Sequence, residues 1–295
     1  MKKFLVCLVT LFALPSCHRP SVTSRHTLDF KKEIPILQQS QATATPYVTV
    51  WVHGSRAFKP FDEYIHATPH QGMQTMTSLT KKHHIKKLAQ ILAAADPVKY
   101  PFEHFYAFGW SGNLSFEIRH DEAARLHAEL ENLVATYTKK YGHAPFIRII
   151  THSHGGNVAL NLATIEHPNK EWFINEVIIL ASPVQHVTEN LVSSPIFGKI
   201  YSFYSTFDTS QVMDPQGLYK AHNKNYKTLF SQRRFPDNAT LIQIKCRINK
   251  HGIPHIGFIS ERFIKHLPAI INFLDQWEEE KPHTSKEVRQ LNLLL

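Results

Sequence analysis

From Tyr47 to Trp277 the chain alternates between apolar runs of strand length and runs of helical period. Tyr47–Val52 (YVTVWV) is β-branched and aromatic, and Glu103–Phe108, Phe146–Ile150, Ile174–Leu180, Ile200–Ser205 and Ala239–Cys246 repeat that signature. Between them, Ile85, Leu88, Ala89 and Leu92 share one helical face, and Leu126, Leu130, Leu133, Val134 and Tyr137 share another. Val158, Leu162 and Ile165 predict a third helix, and Ile264, Leu267, Ile270, Ile271 and Leu274 a last one ending near Trp277. Strand and helix in alternation predict an α/β fold, a mainly parallel sheet with helices on both faces. Two irregular stretches interrupt the rhythm, Ser182 to Gly198 and Thr209 to Asn238, the second rich in aromatics (Tyr219, Tyr226, Phe230, Phe235). Connections of that length read as inserted cap or lid loops over a cleft.

The amino end reads differently. Lys2 and Lys3 precede an apolar run from Phe4 to Leu14, short of the roughly 20 residues a spanning helix needs, so residues 1–16 read as an export signal. Leu14-Pro15-Ser16-Cys17 resembles the lipobox of bacterial lipoproteins, which implies cleavage before Cys17 and a lipid on it. Residues 17–45 are then a polar tether with at most one edge element, 46–280 the folded domain and 281–295 a tail. The expected location is outside the cytoplasm, anchored to a membrane. His18 in place of an aspartate favours the outer membrane, and the protein is secreted if the lipobox is not used.

Composition narrows the chemistry. Of three cysteines, only Cys246 lies in the body of the chain, so a hydrophobic core must supply the stability that disulfides would. The formal charge of +9 reads as a solvated surface that also suits anionic headgroups. No nucleic-acid motif is present, and no GxGxxG or phosphate loop calls for a nucleotide cofactor. His83-His84 stands without HExxH or paired-cysteine spacing, so no metal is expected.

The sharpest signal is Thr151-His152-Ser153-His154-Gly155-Gly156, wedged between a strand run and a helical run. It resembles the GxSxG nucleophile elbow of the α/β-hydrolase family, with Thr151 where glycine is usual. The resemblance implies an α/β-hydrolase fold and Ser153 as nucleophile. The base belongs on the loop before the final helix, where His251 and His255 both stand; His255, nearer the helix, is preferred and His251 is the alternative. Asp208, past the penultimate core strand, is the acid of choice over Asp214, and Asp237 lies too close to the last strand. The backbone N–H groups of Ser55, after His53-Gly54, and of His154 would form the oxyanion hole. Phe108–Asn113 ends another strand at the same sheet edge and reads equally as a lining of the cleft or as a packed Trp110. The function implied is acyl-ester hydrolysis of a lipase or esterase kind through a Ser-His-Asp triad, on a small-molecule or lipid ester, with no cofactor. Two alternatives share these residues: a surface lipoprotein that keeps the fold but only binds, and a peptidase or thioesterase.

Overall fold

The computed structural model describes residues 22–31, 45–56, 72–166, 172–212, 232–284 and 287–295. The expected export signal, Cys17, much of the expected tether, Asp214, Tyr219, Tyr226 and Phe230 lie outside the described residues. A ten-stranded sheet is formed by β1 (Val22–Asp29), β2 (Tyr47–Val52), β3 (Gly72–Thr75), β4 (Phe105–Gly109), β5 (Phe146–His152), β6 (Ile174–Leu180), β7 (Phe197–Tyr204), β8 (Leu241–Ile248), β9 (His251–Gly252) and β10 (Glu287–Leu294). Its order is β1-β10-β8-β7-β6-β5-β2-β4-β3, with β9 hung on β8. Only β3 and β9 run antiparallel to their neighbours; every other pairing is parallel.

Four helices complete the described fold: α1 (His84–Ala95), α2 (Phe116–Tyr141), α3 (Gly155–Asn161) and α4 (Glu261–Glu280). Each strand sends alternate side chains to opposite faces. Val48, Val50 and Val52 of β2, Ile147 and Ile149 of β5 and Val177 and Ile179 of β6 pack with α2 and α3. Trp51, Ile150, Ile178 and Leu180 pack on the other face with α1 and α4. Because both faces are covered, the strands read as nearly unbroken apolar runs. The helix ends are marked in the sequence. Ser115 and Ser260 accept hydrogen bonds from the N–H groups of Ile118 and Phe263, each at 3.3 Å, and Gly142 takes the left-handed conformation (φ 84°) that ends α2. This is the α/β-hydrolase arrangement that the serine motif implied.

Several elements differ from the sequence pattern. The third helix stops at Asn161 and tightens into a 3-10 turn over Leu162–Thr164, leaving Ile165 half-buried. The stretch after β6 is fastened down: Val184, Val192 and Ile196 are buried on the α2/α3 side. Val184 and Gln232 exchange backbone hydrogen bonds of 2.9 and 3.0 Å, tying both irregular stretches together. The 281–295 segment holds β10, which slots in parallel between β8 and β1. Leu291 and Leu293 are fully buried there. Arg289, 1% exposed, is the reason this strand hides in the sequence; its charge is met by Glu278 at 2.9 Å and its plane lies over Trp277.

Candidate active site

In chain order the sheet grows from β2 outward to β4 on one side and from β5 through β8 on the other, so its direction of growth reverses between β2 and β5. In a parallel sheet such a point opens a crevice at the carboxyl ends of the strands. Ser153 stands there, at the end of β5. Its φ of 53° lies in the left-handed region that a non-glycine residue seldom occupies. The turn is held by Ser153 N–H to Leu180 O (2.9 Å) and Gly156 N–H to Ser153 O (3.0 Å).

The glycines around the elbow answer to crowding. A Cβ on Gly155 would lie 2.4 Å from Val52 O and 2.5 Å from His53 O, and one on Gly156 would lie 2.5 Å from Ser182 Oγ. A Cβ on Gly54 would come within 2.9 Å of Ser153 Cβ, so the turn after β2 lies directly against the elbow. Thr151, which replaces the usual first glycine, is fully buried with its hydroxyl 3.5 Å from Ile178 O.

His53 anchors that neighbouring turn. It is fully buried; Nε2 accepts from Trp110 N–H (3.1 Å), so Nδ1 carries the proton it donates to Gly54 O (2.7 Å). Trp110 Nε1–H returns a bond to His53 O at 2.7 Å. Burial, outweighing those backbone bonds, pushes the His53 pKa down to about 4, so the ring is a neutral strut. Ser55 follows it, half-buried at the crevice.

Asp208 and His255 approach from the other side. His255 Nδ1–H faces Asp208 Oδ2 at 2.8 Å, and the carboxylate is wholly buried while the imidazole keeps 19% exposure. The second carboxylate oxygen accepts Gln211 N–H at 3.0 Å. Arg233 straddles the acid loop, donating to Ser205 O (3.0 Å) and Asp208 O (2.7 Å). Ser205 Oγ accepts the N–H of Phe207 (3.2 Å) and of Ile253 (2.9 Å), which ties the loop of the acid to the loop of the histidine. These loops pass so closely that a Cβ on Gly252 would sit 2.2 Å from Phe207 Cβ. A third tie comes from β5 itself: His152 Nε2–H meets His255 O at 3.1 Å, and the two rings lie 4.7 Å apart.

Thus Asp208, on the loop after β7, and His255, at the start of the 3-10 turn after β9, meet each other, and the backbone of His255 is bonded to His152, the residue before Ser153. His251 lies on β9, paired with Ile248, with an exposed side chain. Asp237 is occupied with Arg234 at 3.6 Å. Trp110 packs on His53, their rings stacked at 5.6 Å, which gives the Phe108–Asn113 segment a supporting role. Ser205, Gln211 and Arg233 carry no motif signal, and His152 is marked only by its place inside the serine motif. Among the described residues, no group of three or more His, Cys, Asp or Glu side chains could hold a metal.

No protein-family model matches the chain, and no curated protein sequence matches it. Among solved structures the chain is similar to the esterase Pf2001 of Pyrococcus furiosus, with 14% identity, 79% of this chain and 81% of that chain covered, and a TM-score of 0.43.

Proposed function

We propose that the protein is a serine hydrolase that cleaves acyl esters. The observation that carries this reading is the 2.8 Å contact of His255 Nδ1 with buried Asp208, on a loop bonded to the residue just before Ser153. A serine hydroxyl needs a base to become nucleophilic. Asp208 accepts a hydrogen bond from His255 Nδ1–H, so the lone pair of His255 is left on Nε2, where it takes the Ser153 proton as Oγ attacks the ester carbonyl. The oxyanion is met by the N–H groups of Ser55 and His154, next to the elbow on either side. The imidazolium then gives its proton to the departing alkoxide, and water, activated by the same ring, releases the acid. An approach flanked by Phe207 (65% exposed) and Ile256 (56% exposed), neighbours of Asp208 and His255, suits an apolar acyl group. A fluorophosphonate probe and p-nitrophenyl butyrate test the reading. Wild type should label and turn over and Ser153→Ala should do neither; a Ser153 that resists the probe in folded protein leaves a binding-only role.

The same proposal extends to location: export, with Cys17 as lipid anchor. Five residue steps separate Cys17 from Val22, a reach of at most about 18 Å. Partition of wild type into a detergent phase, lost in Cys17→Ser, is the outcome that supports the anchor; equal partition of both removes it.

A further inference from the structure

His152 is hidden (1% exposed) immediately before Ser153, and two loops meet on it. Its Nε2–H bonds to the backbone carbonyl of His255 at 3.1 Å. Its ring lies 4.7 Å from the His255 ring at 50°. On its other side stands Gly54, where a Cβ would come 3.5 Å from His152 Nδ1 and 3.2 Å from His152 O, so the turn after His53 packs directly on it. A carbonyl can only accept, so Nε2 must be the protonated nitrogen.

The loop of His255 is also held by Ile253 N–H on Ser205 Oγ at 2.9 Å, the imidazole on Asp208 at 2.8 Å, the pairing of His251–Gly252 with β8, and His84 Nε2–H on Ile259 O at 3.2 Å. None of these partners lies on β5. From these contacts we propose that His152 is a positioning residue, which through the carbonyl of His255 sets the distance between that imidazole and Ser153. The inference rests on the hydrolase reading above. It gives the histidine of the serine motif a purpose that the triad leaves empty: nucleophile and base are registered through adjacent residues of one strand. Misplacement of a reacting group by about 1 Å costs on the order of 100-fold in rate.

The test compares His152→Gln with His152→Met, side chains of similar length of which only the first carries a terminal N–H donor. Turnover of p-nitrophenyl butyrate is measured beside wild type and Ser153→Ala. His152→Met should lower kcat by about 10- to 100-fold with KM close to wild type, and His152→Gln should recover most of the loss. Equal kcat in the two variants, or a loss confined to KM, overturns the proposal. Should His152→Met fail to fold, by near-ultraviolet circular dichroism, His152→Gln decides alone: kcat within a few-fold of wild type supports the donor role, and a deep loss in the folded variant refutes it. A wild type as inert as Ser153→Ala would instead sink the hydrolase reading and this inference with it.

Discussion

Ser153 is a residue under conformational strain. A left-handed φ costs an L-residue with a Cβ about 1–2 kcal/mol, and at 53° Ser153 bears that cost whether its side chain is a hydroxymethyl or a methyl group. Ser153→Ala should therefore keep the strain and Ser153→Gly should relieve it. Glycine loses more entropy on folding, by about 0.5–1 kcal/mol, which offsets part of the gain. In thermal melts Ser153→Gly should unfold at a temperature equal to or a few degrees above Ser153→Ala, while neither hydrolyses ester. A Gly variant melting well below the Ala variant would mean the elbow is not strained. Ala181, at the end of β6 with φ 53°, is held in the same way. Its N–H bonds to Phe203 O at 2.9 Å, so two adjacent strand ends carry the same bend.

Among the elements, β10 changes the picture most. It fills the gap between β8 and β1, pairing from Arg289 with Ile244 to Leu293 with Ile248. Leu291, fully buried in the cluster with α4, should lose about 2–5 kcal/mol on replacement by alanine. Half-buried Leu294 should lose clearly less. Urea unfolding of the two variants measures both, and a loss under about 1 kcal/mol for Leu291→Ala would detach β10 from the cooperative core. β10 was unreadable because Arg289 and Gln290 break its apolar run, and the partners Glu278, Trp277 and the Lys281 carbonyl, brought by α4 and its end, make a buried guanidinium tolerable there. By contrast Tyr47–Val52 and Ile174–Leu180, apolar on both faces, coincide with β2 and β6 from end to end.

On the scale of the whole molecule, pH links burial to stability. Folded His53 takes a proton only below about 4, against an ordinary value of 6.5, chiefly because burial disfavours the cation. Between those values the unfolded chain binds more protons, so the stability present in full above 6.5 falls as pH drops and levels off under about 4, a loss of about 3 kcal/mol in all. Burial also lowers His84, His104 and His266, and these act with the same sign. Urea unfolding from pH 7 to pH 4.5 should show wild type losing stability faster than His53→Asn; parallel pH dependences would exclude His53 as a source. The parallel sheet also sets an orientation. β1 begins at the end of the sheet away from Ser153, and strands of eight residues span about 26 Å. With the anchor proposed at Cys17 and its reach of about 18 Å, the crevice would open away from the membrane that holds the protein.

By itself the sequence determined the alternating order of the main strands and helices and where an elbow must fall, because burial of both sheet faces and the glycines at Gly155 and Gly156 leave local traces. It also left His251 and His255 as the candidates for a base. Which of those rings meets Asp208 was decided only by tertiary structure, since it depends on Ser205 and His152 gripping one loop from two strands far apart in the chain. The same holds for β10 and for the neutral state of His53, each a matter of what surrounds a polar group once the chain has closed upon it.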